Sequence, residues 1–243
     1  MTLLAVERLD VRHGLLQAVR DLSLEVAEGE TLALVGANGA GKSTLLRAIA
    51  GAHSPAGGRI VFDGVDVTTV PAHRRVRMGI TLVPEGRRLF TGLTLEENLL
   101  VAGRSGRPGP WNVEAVLDAF PLLGPRRKAR AASLSGGEQQ ATAIGRALMT
   151  NPRLLLLDEV SLGLAPTAVE GVYRSLRSLI EGGATIVLVE QDLNRALSVA
   201  TRVVCMLEGR IVLVGQAGEL TREQVIEAYF GLRRASGKGR AEP

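Results

Sequence analysis

The sequence of 243 residues has one cysteine, Cys205, and only 3% of its residues are aromatic. A single cysteine excludes an intramolecular disulfide framework, and the scarcity of aromatic residues means that aliphatic side chains must build the core. No apolar run approaches the ~18 residues that a membrane-spanning helix needs. The amino terminus lacks the basic segment and the apolar stretch of a secretory signal. From these absences we expect a chain that resides in the cytosol.

Arginine supplies almost all of the excess positive charge, which is formally +4. The basic residues form four groups: Arg74, Arg75 and Arg77; Arg87 and Arg88; residues 126–130; and the segment after Gly231. Aromatic side chains that could stack on bases are not interleaved with them. We therefore predict solvated basic faces and a flexible basic tail at 233–243 rather than a nucleic-acid groove, and we expect no nucleic-acid partner.

Short aliphatic segments alternate with helical patterns along most of the chain, which predicts an α/β fold. Several of these segments are apolar at every position, as is typical of strands buried on both faces of a parallel sheet. The predicted strands are 31–35, 80–83, 154–157, 185–189 and 203–207, and the predicted helices are 42–50, 137–149, 167–180 and 193–199.

Two parts of the chain depart from this alternation. Residues 3–14, 21–29 and 58–64 resemble half-buried antiparallel strands with turns. Between residues 89 and 131, glycine and proline separate the helical segments 95–102 and 113–120 without adding a strand. We therefore predict one domain at 1–232 with a helical subdomain, about 89–150, inserted between two strands of the sheet.

The segment between the first predicted parallel strand and its helix fits the phosphate-loop pattern G-x-x-x-x-G-K-[ST]. Glycines let successive backbone N–H groups converge on phosphate oxygens, and the following helix presents its positive end. We expect Lys42 to neutralise the β and γ phosphates and the Ser43 hydroxyl to bind Mg²⁺. The predicted nucleotide-binding residues are Gly36, Asn38, Gly39, Ala40, Gly41, Lys42, Ser43 and Thr44.

Two carboxylates, Asp158 and Glu159, end the apolar strand that follows the helical insertion. Open α/β sheets bind ligands at the carboxyl ends of their strands. We predict that Asp158 holds Mg²⁺ through a water molecule and that Glu159 orients and polarises the attacking water.

A second glycine-rich turn, Leu134-Ser-Gly-Gly-Glu-Gln-Gln140, opens a predicted helix with Ser135 as its N-cap. It resembles the signature sequence of the ATP-binding-cassette (ABC) ATPases. This resemblance implies a P-loop NTPase fold with a mostly parallel RecA-like core sheet, an antiparallel β-subdomain and an inserted α-helical subdomain. It also implies ATP and Mg²⁺ as cofactors, and that Ser135, Gly136 and Gly137 act on the ATP of an opposing subunit.

Further segments resemble the LivF-type ATPases of branched-chain amino acid importers. They are VPEGRRLF at 83–90, LEEN at 95–98, SLGLAP at 161–166, VEQ at 189–191, GRIVLVG at 209–215 and AYFG at 228–231. The resemblance implies a peripheral subunit at the cytoplasmic face of the inner membrane. Its implied partners are a second, different ABC ATPase, two transmembrane permease subunits and, indirectly, an extracytoplasmic binding protein. A urea or amide importer and a DNA-associated ABC ATPase remain as alternatives.

Four positions differ from the general pattern of that family. Glu85 and Gln191 stand where glutamine and histidine are usual, and Ala165 replaces an aspartate; all three substitutions are found in LivF-type sequences. The resemblance therefore places Glu85 and Gln191 in the catalytic site, with Glu85 also a candidate Mg²⁺ ligand. His13 occupies the position of the aromatic residue that stacks on adenine, and we expect its imidazole to stack over a smaller area.

Overall fold

Two β-sheets organise residues 1–229, the part of the chain that the computed structural model describes. The predicted tail at 233–243 and the end of the predicted domain lie outside these residues. The strands are β1 Thr2–His13, β2 Leu16–Ala27, β3 Thr31–Val35, β4 Gly57–Phe62, β5 Val65–Asp66, β6 Ile80–Val83, β7 Leu154–Asp158, β8 Thr185–Val189, β9 Arg202–Leu207 and β10 Arg210–Gln216. The helices are α1 Lys42–Ile49, α2 Ala72–Met78, α3 Leu95–Gly103, α4 Val113–Ala119, α5 Gly136–Leu148, α6 Pro166–Glu181, α7 Leu193–Val199 and α8 Arg222–Tyr229.

The smaller sheet is antiparallel, with strand order β2-β1-β4-β5. Its alternating sequence reflects one buried face, as Leu22, Leu24 and Val26 of β2 show by pointing inward while their neighbours are exposed. Strand β2 begins at Leu16, whereas the alternation of the sequence predicts a strand only from residue 21. The additional residues pair with the end of β1, because the two strands form a hairpin.

The larger sheet has the order β10-β9-β3-β8-β7-β6, in which the five strands from β9 to β6 are parallel and β10 is an antiparallel edge. Successive side chains of a strand point to opposite faces. In β7, Leu154 and Leu156 accordingly join the core beneath α1 and the smaller sheet, whereas Leu155 and Leu157 join the core beneath α5 and α6. This double coverage explains the uninterrupted apolar sequence, and the predicted fold class is confirmed.

The chain between β6 and β7 forms α3, α4, α5 and two 3-10 turns, Pro121–Arg126 and Ala131–Ser133. Their apolar side chains pack in the same cluster as Leu155 and Leu157 of β7, so the insertion is built onto one face of the sheet. Helix α3 begins with a capping box in which Thr94 accepts from the Glu97 N–H and the Glu97 carboxylate accepts from the Thr94 N–H.

One of the predicted solvated arginines is buried, so that prediction is wrong for Arg75, which is only 1% exposed. Its guanidinium donates hydrogen bonds to the carbonyls of Val70, Ala48, Ile49 and Thr68. Ala48 and Ile49 lie at the end of α1, where the last carbonyls of a helix need donors from elsewhere. Helix α2, which positions Arg75, lacks the apolar periodicity by which a helix is recognised in sequence.

Within residues 1–229, no helix combines the length and the apolar character required to cross a lipid bilayer.

Candidate functional site

The phosphate loop joins the buried strand β3 to the first turn of α1. Gly36, Gly39 and Gly41 have φ values of 144°, 81° and 99°. A Cβ at Gly36 would lie 2.2 Å from the Met206 carbonyl oxygen, and one at Gly41 would lie 2.2 Å from that of Ala18. The loop is therefore wedged between two backbones, and only glycine fits at these two positions. No side chain caps α1, which leaves N–H groups of its first turn for an anion.

Lys42 lies inside this loop and is only 4% exposed. Its Nζ donates to the carbonyl oxygens of Gly36, at 2.6 Å, and Ala37, at 3.0 Å. Burial lowers the pKa of Lys42, and the nearby carboxylates of Glu159 and Asp158 oppose that shift. The loop thus holds a partly desolvated cation where a phosphate would be the natural counter-ion.

Ser43 and Asp158 meet where α1 faces the end of β7. The Ser43 hydroxyl donates to Asp158 Oδ1 at 2.7 Å. Burial raises the pKa of Asp158, and the Ser43 hydrogen bond opposes this shift. Asp158 Oδ2 is buried without a hydrogen-bond partner among the described residues.

This orphaned oxygen and the adjacent hydroxyl fit a hard divalent cation, which binds oxygen ligands. The described residues contain no cluster of three or more His, Cys, Asp or Glu side chains suited to a metal. Mg²⁺ does not need such a cluster, because it retains waters and binds through one or two carboxylates together with substrate phosphates.

Glu159 and Gln191 form a hydrogen-bonded pair at the carboxyl ends of β7 and β8. Gln191 Nε2 donates to Glu159 Oε2 at 2.7 Å, and the Glu159 N–H donates to the Val189 carbonyl at 3.1 Å. Glu159 has φ 51°, a left-handed backbone conformation that is uncommon for a residue with a side chain. The turn after β7 therefore adopts a strained geometry that projects this carboxylate toward Gln191.

Most of the predicted site residues share one open cavity of about 510 Å³. It is lined by His13, Leu16, Ala18, the loop residues 38–44, Glu85, Glu159, Leu162 and Gln191. Asp158 reaches it through Ser43. The structure thus brings together the predicted phosphate, water-activating and base-binding residues from five separate segments of the sequence.

The signature turn is absent from the described lining of this cavity. Ser135 caps α5 as predicted: its Oγ accepts from the Glu138 N–H, and Glu138 Oε2 accepts from the Ser135 N–H. Gly137 is buried, and a Cβ there would lie 2.8 Å from that of Ala168. The capped turn therefore lies on a part of the surface other than the cavity of the same chain.

His13, the predicted base-binding residue, contacts two residues of the chain. Its Nε2 is 3.1 Å from Thr44 Oγ1, and its ring lies 4.5 Å from the ring of His53 with a tilt of 48°. His53 Nε2 donates to the Arg12 carbonyl at 2.8 Å. The sequence assigned no role to His53, because it is forty residues from His13 and lies in no motif.

The loop that carries Glu85 is fastened to α5. Gly86, Arg87 and Arg88 all have positive φ, and Arg146 of α5 donates to the carbonyls of Arg87, at 3.2 Å, and Arg88, at 2.7 Å. The Arg87 guanidinium donates to Gln139 Oε1 at 2.9 Å. The sequence does not predict the contacts of Arg146 and Gln139 with this loop, because they depend on how α5 packs against it.

Comparison with known proteins identifies the family to which this arrangement corresponds. The model of the ABC transporter family matches residues 19–161, which include the phosphate loop, the signature turn and the two carboxylates. The fold is similar to that of a nucleotide-free ATP-binding cassette from an ABC transporter, with a TM-score of 0.83 and 26% sequence identity. The superposition covers 94% of this chain and 99% of that one.

Two curated relatives are similar over nearly their whole length. The high-affinity branched-chain amino acid transport ATP-binding protein BraG of Pseudomonas aeruginosa is 44% identical over 232 residues, covering 94% of this chain and 100% of that protein. The probable branched-chain amino acid transport ATP-binding protein LivF of Archaeoglobus fulgidus is 34% identical over 228 residues, covering 93% and 97%.

Proposed function

This chain belongs to the ABC transporter family, and from that membership we propose that it is the ATP-hydrolysing subunit of an importer of branched-chain or related amino acids. The similarity to BraG and LivF over almost the full length supports this cargo class. The observation that carries the hydrolytic function is the shared cavity, in which the phosphate loop faces Glu159 and Gln191.

Binding of the triphosphate begins with the loop and the first turn of α1. Their N–H groups would receive the phosphate oxygens, and Lys42 would exchange its two backbone carbonyl contacts for the β and γ phosphates. Ser43, Asp158 and Glu85 would hold Mg²⁺, which supplies charge neutralisation on the phosphates. His13 would stack on the adenine ring.

Hydrolysis requires a water molecule in line with the γ-phosphate. Glu159 accepts a hydrogen bond from that water and polarises it, and Gln191 keeps the carboxylate oriented through its 2.7 Å contact. The amide of Gln191 remains neutral across the physiological pH range, so this orientation does not depend on a titrating switch residue.

A second ATPase subunit completes the site in this proposal. The residues of that subunit that correspond to Ser135, Gly136 and Gly137 would contact the γ-phosphate held by this chain. Ser135, Gly136 and Gly137 of this chain would in turn contact the γ-phosphate held by that subunit. In the cell the second subunit would be a related but different chain. ATP would favour the closed pair and its hydrolysis the open one, so that nucleotide state shifts the population between them.

Membrane permease subunits are the partners that would convert this closure into transport. The complex would contain two of them, and this chain would grip a short cytoplasmic helix of the membrane subunits near residues 85–90, where Phe90 is 52% exposed beside the loop that carries Glu85. The single domain at 1–232 would move its helical part, about 89–150, on closure. The chain would then lie peripherally at the cytoplasmic face of the inner membrane, with an extracytoplasmic binding protein delivering the solute.

Substitution of Glu159 and Lys42 separates binding from turnover. We expect Glu159→Gln to bind MgATP and to remain paired with the second subunit while turnover falls to background, because the amide cannot polarise water as the carboxylate does.

We expect Lys42→Ala to lose nucleotide binding in equilibrium dialysis, because the phosphates lose their buried cation.

Glu170→Gln on the exposed face of α6 and Lys128→Ala, outside the cavity, provide matched controls and should behave as the unaltered chain. Wild-type turnover by Glu159→Gln would refute the assigned role of this carboxylate, and unaltered binding by Lys42→Ala would refute that of the phosphate loop.

A further inference from the structure

Glu190 is a buried carboxyl group next to the reactive pair that the hydrolytic scheme does not use. It directly follows β8 and is only 2% exposed. Carboxyl groups are rarely buried without a partner, because removing them from water is costly. Burial raises the pKa of Glu190, and the hydroxyls of Ser161 and Tyr173 oppose that shift. A residue retained at this cost is expected to do more than fill space.

Three elements converge on this carboxyl. Ser161, in the turn after β7, donates its hydroxyl to Glu190 Oε1 at 2.5 Å. Arg195 of α7 donates to the same Ser161 oxygen at 3.3 Å. Tyr173 of α6 is 4% exposed, and its hydroxyl neighbours the carboxyl of Glu190. The side chain of Glu190 thus joins the turn after β7 to the beginning of the segment after β8.

Those two segments are the ones that carry Glu159 and Gln191. Ser161 is two residues beyond Glu159, in a turn closed by the bond from the Leu162 N–H to the Glu159 carbonyl at 3.2 Å. Gln191 is the residue next to Glu190. Any displacement of the Glu190–Ser161 bond would therefore change the separation between the catalytic carboxylate and the amide that orients it.

The unusual backbone of Glu159 makes such a support necessary. A left-handed conformation at a residue other than glycine persists only where the surrounding contacts determine it. The bond from the Glu159 N–H to Val189 holds one side of the turn, and the Ser161–Glu190 bond holds the other. Val189 is the last residue of β8 and Glu190 directly follows it, so the turn is held in place by the end of that strand.

We infer that Glu190 is the positioning residue of the hydrolytic pair: by binding Ser161 it fixes the turn that carries Glu159 against the segment that carries Gln191. This inference rests on the proposed function, because it assigns to Glu190 a part in ATP hydrolysis. It acts through its neighbours and does not touch the nucleotide.

The test compares Glu190→Leu with Glu190→Gln in the full-length chain, with MgATP hydrolysis and nucleotide affinity measured separately. Misplacing a catalytic group by about an ångström lowers turnover on the order of tenfold to a hundredfold. We expect a loss of that size in kcat for Glu190→Leu, with the dissociation constant for MgATP unchanged. We expect Glu190→Gln to recover most of the turnover, because its amide oxygen can still accept from Ser161.

Thr185→Val is the matched control, since it removes a buried hydroxyl at the opposite end of β8 that accepts from the Gly29 N–H. We expect that control to keep the turnover of the unaltered chain. Ser161→Ala, which removes the donor, should reproduce Glu190→Leu without altering the buried carboxyl.

Unaltered kcat in both Glu190→Leu and Ser161→Ala would overturn the inference. A parallel loss of kcat and affinity in Glu190→Leu and Glu190→Gln alike would also overturn it, because it would show a general structural role. Failure of the unaltered chain to bind or hydrolyse ATP would instead refute the proposed function, so the two failures are distinguishable.

Discussion

At the scale of single residues, contacts within the chain hold the charged side chains of the cavity in place. Lys42 is held by carbonyls of its own loop, and Asp158 is held by Ser43. These contacts fix the side chains near the positions in which phosphate and Mg²⁺ would meet them. Preorganisation of this kind reduces the side-chain ordering that ligand binding must impose.

His13 provides the residue-scale prediction. We expect His13→Tyr to tighten ATP binding several-fold, because a phenol ring offers adenine a larger stacking surface than an imidazole does, and base stacking contributes ~1–3 kcal/mol. Titration with a fluorescent nucleotide would measure the dissociation constant. His73→Tyr, on the exposed surface of α2, makes the same change away from the cavity and should have no effect. An unchanged constant for His13→Tyr would remove His13 from the base site.

Residues within a contiguous motif could be predicted from the sequence, whereas pairs that are distant along the chain could not. The N-cap role of Ser135 follows from its place before two glycines and a glutamate, and the structure shows that cap. His53 lies in no motif, and the VEQ segment at 189–191 points to Gln191 rather than to Glu190. Folding brings His53 against His13 and Glu190 against Ser161, and no periodicity or spacing in the sequence reveals these contacts.

At the scale of elements, α1 is stabilised at the end opposite to the phosphate loop. Its last carbonyls carry partial negative charge, and the buried Arg75 guanidinium satisfies two of them together with two carbonyls nearby. The helix that offers its amino terminus to phosphate therefore has a fixed cation at its carboxyl terminus. Burial lowers the pKa of Arg75, but a guanidinium remains charged throughout the physiological range.

We expect Arg75→Met to lower the free energy of unfolding by about 3–5 kcal/mol, because it removes four hydrogen bonds to backbone carbonyl oxygens at and near the end of α1. Urea titration followed by circular dichroism would measure this difference. Arg74→Met is the matched control, since Arg74 precedes it on the same helix and is exposed, and its effect should stay within about 0.5 kcal/mol. Equal effects of the two substitutions would show that the Arg75 hydrogen bonds contribute little to stability.

The parallel strands could be predicted because their sequences are apolar at every position, which follows from burial on both faces. Strand β7 and strand β8 are buried along their whole length, as such a sequence requires. Helix α2 and the short strand β5 were missed for the opposite reason. Neither presents an apolar stripe, and the position of α2 is fixed by the polar contacts of Arg75 rather than by hydrophobic burial.

At the scale of the whole molecule, the two glycine-rich turns of the chain do not meet within it. The cavity holds the phosphate loop, Glu159 and Gln191, whereas the Ser135 turn lies elsewhere. Helix α5 connects the cavity to the Ser135 turn: Gln139 and Arg146 bind the loop of Glu85, and Ser135 caps the same helix. In the proposed pair, a shift of the Glu85 loop on nucleotide binding would therefore be transmitted to the turn that serves the neighbouring subunit.

Mixing two inactive variants tests whether the site is shared between chains. Lys42→Ala removes the phosphate loop of its own site, and Ser135→Arg blocks the turn offered to the neighbour, so each variant alone should lack turnover. A mixed pair combines the intact loop of one chain with the intact turn of the other. With random pairing, about half of the pairs are mixed. Each mixed pair has one working site out of two, so we expect about a quarter of the turnover of the unaltered chain.

The measurement is steady-state MgATP hydrolysis at protein concentrations that drive pairing, with each variant assayed alone and in an equimolar mixture. Ser178→Arg places the same cation on the exposed face of α6 and should keep turnover on its own. If Ser135→Arg alone hydrolyses ATP at the unaltered rate, the site is complete within one chain. If the unaltered chain pairs with itself and the mixture still gives only the sum of its components, the loop and the turn do not join across a pair, and the shared site that underlies the proposed motor is refuted.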